Sequence, residues 1–147
     1  MIPDPKDKTI PSEPILASNQ KFRILIIEDE EDLLDIISDF LKDELRSAEV
    51  RKESNGFNAA LQISAWSPDL ILLDFMLPGM DGFEICKRIR ENPQTKNIPI
   101  IGMTGLSNAE NRQAVMKAGV TDFIGKPFRG AELIAKIKTL LGVLPPN

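Results

Sequence analysis

The chain has 147 residues, of which 42% are hydrophobic and 27% charged, and its formal net charge is −4. This size favours a single globular domain, and the acidic balance argues against a chain that chiefly coats nucleic acid or an anionic membrane. One Cys and no His exclude an internal disulfide, a zinc site of the Cys/His type and any catalytic triad that needs histidine.

The first 21 residues differ in composition from the rest. They hold four of the 11 prolines, and their positive and negative charges cancel. Proline disfavours both helices and strand ladders, and the stretch lacks the basic start and apolar middle of a signal peptide. We therefore predict a flexible leader or linker at 1–21, a folded domain at 22–142 and a short tail at 143–147.

Strand and helix patterns alternate between these ends. Short apolar or β-branched runs predict five strands, of which the second is more polar and suits a sheet edge, at 22–27, 48–54, 69–74, 98–103 and 121–125. Apolar residues at helical spacing predict five helices, around 33–41 and at 57–66, 83–91, 108–118 and 130–141. Such alternation implies an α/β fold, a parallel sheet with helices on both faces.

Functional groups in such folds lie beyond the carboxyl ends of the strands. Four of the predicted strands end in residues that carry chemistry: Glu28 and Asp29, then Asp74, then Thr104, then Lys126 and Pro127. If the first, third, fourth and fifth strands are neighbours, three carboxylates, a hydroxyl and an ammonium converge on one pocket.

The chemistry of this pocket follows from its charges. Three adjacent carboxylates repel one another, and Mg²⁺, which prefers oxygen ligands, offsets that repulsion. One carboxylate can then attack phosphorus and form an aspartyl phosphate. The metal, the Lys126 ammonium and the Thr104 hydroxyl would each contact one oxygen of the phosphoryl group.

Each residue alone also has a plain structural explanation. The acidic run at 28–32 suits a helix N-terminus, Asp74 a turn, Thr104 a helix cap and Lys126 a solvated surface. Because the four fall on four strand ends, a shared site explains them better than four separate coincidences.

At these positions the sequence resembles the receiver domain of two-component response regulators, over roughly 22–142. Four segments carry the resemblance in matching order and spacing: ILIIEDE at 24–30, DFMLPGMDG at 74–82, PIIGMTG at 99–105 and AGVTDFIGKPF at 118–128. The resemblance implies a doubly wound, flavodoxin-like fold whose five-stranded parallel sheet has the strand order 2-1-3-4-5.

The resemblance also implies roles for the acidic residues. Asp74 would accept a phosphoryl group from a histidine kinase or a histidine phosphotransfer protein. Mg²⁺ would be the cofactor, bound directly by Asp29, Asp74 and the backbone carbonyl of Met76. Glu28 would act on the metal largely through water, and it is one methylene longer than the Asp that is more common there.

Further roles fall on the last two strand ends. Thr104 and Lys126 match the pair that contacts the phosphate, and Lys126–Pro127 matches a peptide that is usually cis. Thr104 and Phe123 match the switch residues, although Phe123 lacks a hydroxyl and must act by packing. Gly105 stands where Ala is common, so the loop there should be more flexible.

Three functions compete for this sequence. A haloacid-dehalogenase-like hydrolase would need a second Asp where Met76 stands, and a nucleotide or flavin binder would need a glycine-rich loop in place of the acidic run at 28–32. A signalling switch, with only self-phosphorylation and self-dephosphorylation activity, fits best.

The expected partners follow from this function. The phosphodonor is one, and an unknown downstream protein target is the other. Nothing after residue 141 could form a DNA-binding module, so we expect no direct nucleic-acid binding. The longest apolar runs, at 24–27 and 70–73, cannot span a bilayer, so we expect no membrane insertion and a cytoplasmic protein.

The first predicted helix has more apolar residues than one face needs. Leu33, Ile36, Ile37 and Phe40 can face the sheet together, whereas Leu34 lies off that stripe. One hypothesis places Leu34 on the solvent border beside the Asp74 pocket, as a docking contact for the phosphodonor. The alternative is that it widens the core.

Overall fold

The computed structural model describes residues 21–76, 81–105 and 109–142. Residues 1–20 of the predicted leader, the tail at 143–147, the motif residues 77–80 and the predicted helix start at 108 lie outside the described residues. The strands are Phe22–Ile27 (β1), Ala48–Glu53 (β2), Leu70–Asp74 (β3), Ile100–Thr104 (β4) and Asp122–Gly125 (β5). The helices are Glu31–Glu44 (α1), Gly56–Trp66 (α2), Gly82–Glu91 (α3), Ala109–Ala118 (α4) and Gly130–Leu141 (α5).

The five strands form one parallel sheet in the order β2-β1-β3-β4-β5, which confirms the predicted order and the edge position of β2. The register pairs Asp74 with Met103 and Thr104 with Gly125. Because the strands are parallel and in step, their carboxyl ends meet at one edge. Within the described ranges, no helix combines the length and apolarity that a membrane span requires.

The core lies on both faces of the sheet. In β1, Leu25 and Ile27 point toward α2, α3 and α4, whereas Ile24 and Ile26 point toward α1 and α5. All four side chains are fully buried. Such a strand, covered on both faces, appears in the sequence as a continuous apolar run.

The inward face of α1 differs from the predicted one. Leu34, Ile37 and Leu41 are buried together with Ser38, whereas Ile36 is 64% exposed. The hypothesis that Leu34 borders solvent is therefore wrong, because Leu34 is only 5% exposed and belongs to the core. The buried face of α1 includes Ser38, so the pattern of apolar residues alone predicts that a neighbouring face packs on the sheet.

Local chemistry explains the shifted element boundaries. Asn55 and Asp81 each accept a hydrogen bond from the backbone N–H three residues on, at 2.8 and 2.9 Å, so α2 and α3 begin one residue before the predicted start. Strand β4 begins two residues late, because Ile98 donates its N–H to a turn and Pro99 has none to donate.

Candidate functional site

The carboxyl edge of the sheet brings the predicted site residues together. Glu28 and Asp29 follow β1, and Asp74 is the last residue of the central strand β3. One carboxylate oxygen from each of the three lies within 4.8 Å of the others. Glu28 and Asp74 are each 1% exposed, whereas Asp29 is exposed, so the cluster opens to solvent on the Asp29 side.

Lys126, which follows β5, supplies the compensating positive charge. Its Nζ lies 2.8 Å from Glu28 Oε1 and 3.5 Å from Asp74 Oδ2. Burial raises the pKa of Glu28, and the Asp74 charge adds to this against the opposing effect of Lys126. Burial lowers the pKa of Lys126, but its contacts with Glu28 and Asp74 outweigh this and raise it overall. The ammonium therefore stays protonated between two carboxylates.

The two oxygens of Asp74 have different partners. Oδ1 accepts a hydrogen bond of 3.0 Å from the backbone N–H of Met76, and Oδ2 faces Lys126. The Met76 side chain is 60% exposed at the mouth of the pocket. The family resemblance implies a role for the Met76 carbonyl, and the structure adds a contact through the Met76 amide.

Phe75 anchors the end of β3 behind this carboxylate. Its ring is 3% exposed and stacks edge-on against Phe83, with centroids 4.9 Å apart. Gly82 and Gly102 leave the space that the ring occupies, since a Cβ on Gly102 would lie 2.9 Å from it. The residue after Asp74 is therefore locked between α3 and β4.

The ends of β4 and β5 are joined beside the cluster. The backbone N–H of Lys126 donates to the Thr104 carbonyl at 2.7 Å, and the Thr104 side chain is buried. The Lys126–Pro127 peptide bond is cis. Phe123 is partly buried, with the Arg112 guanidinium carbon 5.7 Å from its ring centroid. The position of Arg112 beside the predicted switch residue was not predicted from the sequence.

The carboxylate cluster fits a magnesium ion. Mg²⁺ holds its ligands at about 2.1 Å, so ligands on opposite sides stand about 4.2 Å apart. The carboxylate oxygens here are within 4.8 Å of one another, so a small closure suffices. The exposed Asp29 side chain has the solvent access that such a closure and the retained metal-bound waters require.

A hollow that the sequence analysis missed lies next to this cluster, between α1 and α5. It measures about 510 Å³ and its lining is mainly apolar, drawn from Leu33, Ile36, Phe40, Pro127, Phe128 and Leu133. Lys126 also lines it, so the hollow adjoins the carboxylate cluster. The sequence did not predict this hollow, because Ile36 was expected to pack on the sheet.

Known proteins share this sequence and fold. The family model described as the response regulator receiver domain matches residues 24–138. The phosphate regulon transcriptional regulatory protein PhoB of Rhizobium meliloti (strain 1021) is 36% identical over 125 residues, covering 85% of this chain and 54% of that protein. The chain spans about half the length of this relative, or less for others.

Two solved structures illustrate the likeness. The signal receiver domain of a DNA-binding response regulator from Colwellia psychrerythraea 34H has a TM-score of 0.78 at 37% identity, covering 83% of this chain and 99% of that one. The receiver domain of a sensor histidine kinase from Pseudomonas aeruginosa PAO1 has a TM-score of 0.76 at 28% identity, covering 83% and 98%. The latter has a magnesium ion coordinated in its active site cleft.

Proposed function

Since the chain belongs to the response regulator receiver domain family of two-component systems, we propose that it is a phosphoacceptor switch in which Asp74 accepts the phosphoryl group. The donor would be a phosphohistidine on a histidine kinase or on a histidine phosphotransfer protein. The observation that carries this proposal is the buried Asp74 carboxylate, which has an oxygen within 4.8 Å of two further carboxylates and lies 3.5 Å from the Lys126 ammonium.

Phosphoryl transfer from the phosphohistidine to Asp74 would need no further reactant. A carboxylate oxygen of Asp74 attacks phosphorus, the new P–O bond forms, and the P–N bond to the imidazole breaks. The electron pair of that bond returns to the imidazole nitrogen. Lys126, which lies 3.5 Å from Asp74 Oδ2, would pair with a phosphoryl oxygen, and the Thr104 hydroxyl would contact another.

We assign the metal ligands in two groups. Asp29, Asp74 and the Met76 carbonyl would bind Mg²⁺ directly, and Glu28 would act through a metal-bound water. The ion pair of Glu28 with Lys126 supports this division, because one Glu28 oxygen is already engaged at 2.8 Å. When bound, Mg²⁺ would offset the negative charge that gathers as the phosphoryl group approaches.

The phosphodonor would dock on the hollow between α1 and α5. Its histidine must reach a buried carboxylate, so the surface that holds it must adjoin the pocket. The hollow does so through Lys126 and presents Ile36 as an exposed apolar contact. Ile36 therefore takes the place that Leu34 held in the sequence hypothesis.

We further propose a protein target as the output of the switch. The net charge of −4 disfavours direct contact between this domain and a nucleic-acid backbone. Phosphorylation would act through Thr104 and Phe123 on the surface that α4, β5 and α5 form. Turnover would be limited to the chain's own aspartyl phosphate.

The decisive experiment replaces the nucleophile. Asp74→Asn keeps the size of the side chain and removes the attacking oxygen, so labelling by acetyl phosphate in the presence of Mg²⁺ should disappear. Asp35→Asn is the matched control, because Asp35 lies on the exposed side of α1. The control should label like the native chain, and a chelator should abolish both signals. Undiminished labelling of Asp74→Asn would contradict the proposal.

A further inference from the structure

The outward face of α2 is unusual among the helices. Phe57 is 67% exposed and Leu61 is 59% exposed, and at a spacing of four residues they lie on the same side. Alone among the five helices in the described part of the chain, α2 contains no Asp, Glu, Lys or Arg. Two bulky apolar side chains that project together from an uncharged helix form a small apolar contact surface.

Bulky and small residues are segregated along this face. Phe57 and Leu61 occupy the first two turns, whereas Ser64 and Ala65, one turn beyond Leu61, are small. Ala60 and Ser64 also border an open hollow of about 330 Å³ between α2 and α3. The first half of the stripe therefore projects, and the second half is recessed.

This arrangement is complementary to itself under a two-fold rotation. An antiparallel pair of α2 helices centred on Leu61 brings Phe57 of each copy against Ala65 of the other, and the exposed Asn58 against Ser64. A parallel pair would set Phe57 against Phe57 and leave the small residues facing a void. We propose that α2 is a self-association surface, on which a second copy of this chain packs antiparallel with the axis near Leu61. This inference is independent of the proposed phosphoacceptor function.

Charge supports a second copy at this face. Two chains of net charge −4 repel each other, and a contact through an uncharged helix avoids direct pairing of like charges. The flanking charges have partners within the chain. Arg51 donates to Gln62 at 3.0 Å and lies over the Trp66 ring, and Glu53 accepts from Gln62 at 3.1 Å.

The proposed contact is small. One three-turn helix per chain buries less than about 1,200 Å² in total, which is the range of weak and transient interfaces. We therefore expect an equilibrium between monomer and dimer at high protein concentration.

Cysteine cross-linking tests the position of the axis. A residue on a two-fold axis faces its own copy, so Leu61→Cys should form an intermolecular disulfide under mild oxidation. Ile36→Cys is the matched control, because Ile36 is 64% exposed but lies on α1. The native chain is the blank, since its single Cys86 is fully buried and burial raises the pKa of that thiol to about 12.

We expect Leu61→Cys to cross-link about ten-fold faster than Ile36→Cys, because association raises the effective thiol concentration. Equal rates for the two variants would overturn the proposal.

Sedimentation of the native chain is the second measurement. Its mean mass should rise toward that of a dimer as the concentration approaches about 1 mM. Leu61→Glu should stay monomeric, because two carboxylates would meet at the axis, whereas Ile36→Glu should associate like the native chain. A native chain that stays monomeric throughout, or a Leu61→Glu variant that still dimerises, would also overturn the proposal.

Discussion

The three clustered carboxylates have different surroundings. Glu28 is buried against Lys126, Asp74 is buried between Lys126 and the Met76 amide, and Asp29 faces solvent. Burial and pairing hold the first two in place before any metal arrives. Asp29 is therefore the carboxylate whose removal should affect the metal most and the packing least.

Magnesium affinity should separate Asp29 from Glu28. Asp29→Ala removes the proposed direct ligand and should weaken binding by about 100-fold. Glu28→Gln removes the proposed contact with metal-bound water and the charge that pairs with Lys126, and should cost about ten-fold. Titration calorimetry is the suitable measurement, because the fluorescence of the single tryptophan should not report on the metal. The carbonyl of Trp66 accepts a hydrogen bond from Arg23 at the start of β1, away from the site. Asp32→Ala, at an exposed position of the same acidic run, should bind like the native chain. Equal affinity in Asp29→Ala and the native chain would refute the ligand assignment.

At the scale of an element, α1 contributes to the core and to the hollow through side chains that are two residues apart. Leu34 packs in the core, and Ile36 opens onto the hollow beside Lys126. The two residues are close in sequence but face different surroundings, so their substitution should affect different properties.

Stability and phosphotransfer should respond separately to these two residues. Leu34→Ala should lower the free energy of unfolding by about 2–4 kcal/mol, because it leaves a cavity in the core. Ile36→Ala should change that free energy by less than about 0.5 kcal/mol. It should slow phosphotransfer from the cognate histidine donor while leaving acetyl phosphate labelling intact. If Ile36→Ala slows both donors equally, Ile36 has no docking role.

Strand β1 and helix α1 show where prediction from the sequence succeeds and where it fails. Strand β1 was predicted with its observed limits, because four consecutive apolar residues covered on both faces leave little ambiguity. The orientation of α1 was predicted wrongly, because its buried face includes Ser38 and its apolar residues cover more than one face. The sheet and α5 together decide which side turns inward, and that decision depends on tertiary contacts.

The clustering of the candidate site residues could be predicted for a related reason. Its members are single residues at strand ends, and the parallel sheet alone brings such positions together. The hollow at Ile36 and the contact of Arg112 with Phe123 were not predictable, since both depend on how helices pack.

At the scale of the whole molecule, the proposed switch must carry a local change to a distant surface. Thr104 ends β4 at the site, and Phe123 in the neighbouring strand β5 contacts Arg112 of α4. A shift of the conformational equilibrium from 1:99 to 99:1 requires about 5.5 kcal/mol of differential contact with the phosphate.

Removing the Thr104 hydroxyl should uncouple phosphorylation from this shift. Thr104→Ala should still accept phosphate on Asp74, but phosphorylation should no longer change amide hydrogen exchange in α4 and β5. Thr139→Ala on α5, where the hydroxyl bonds only within its own helix in the described structure, should respond like the native chain. A full exchange response in phosphorylated Thr104→Ala would remove Thr104 from the switch.

The direction of β1 has a practical consequence for attaching this domain to anything else. Lys21 stands immediately before β1, and the acidic pair follows its other end. Six strand residues separate the two ends by about 20 Å. A tether, a fluorophore or a sensor surface linked through position 21 would therefore hold the domain by the edge opposite its chemistry. An immobilised domain should then present Asp74 outward, accessible to a partner in free solution.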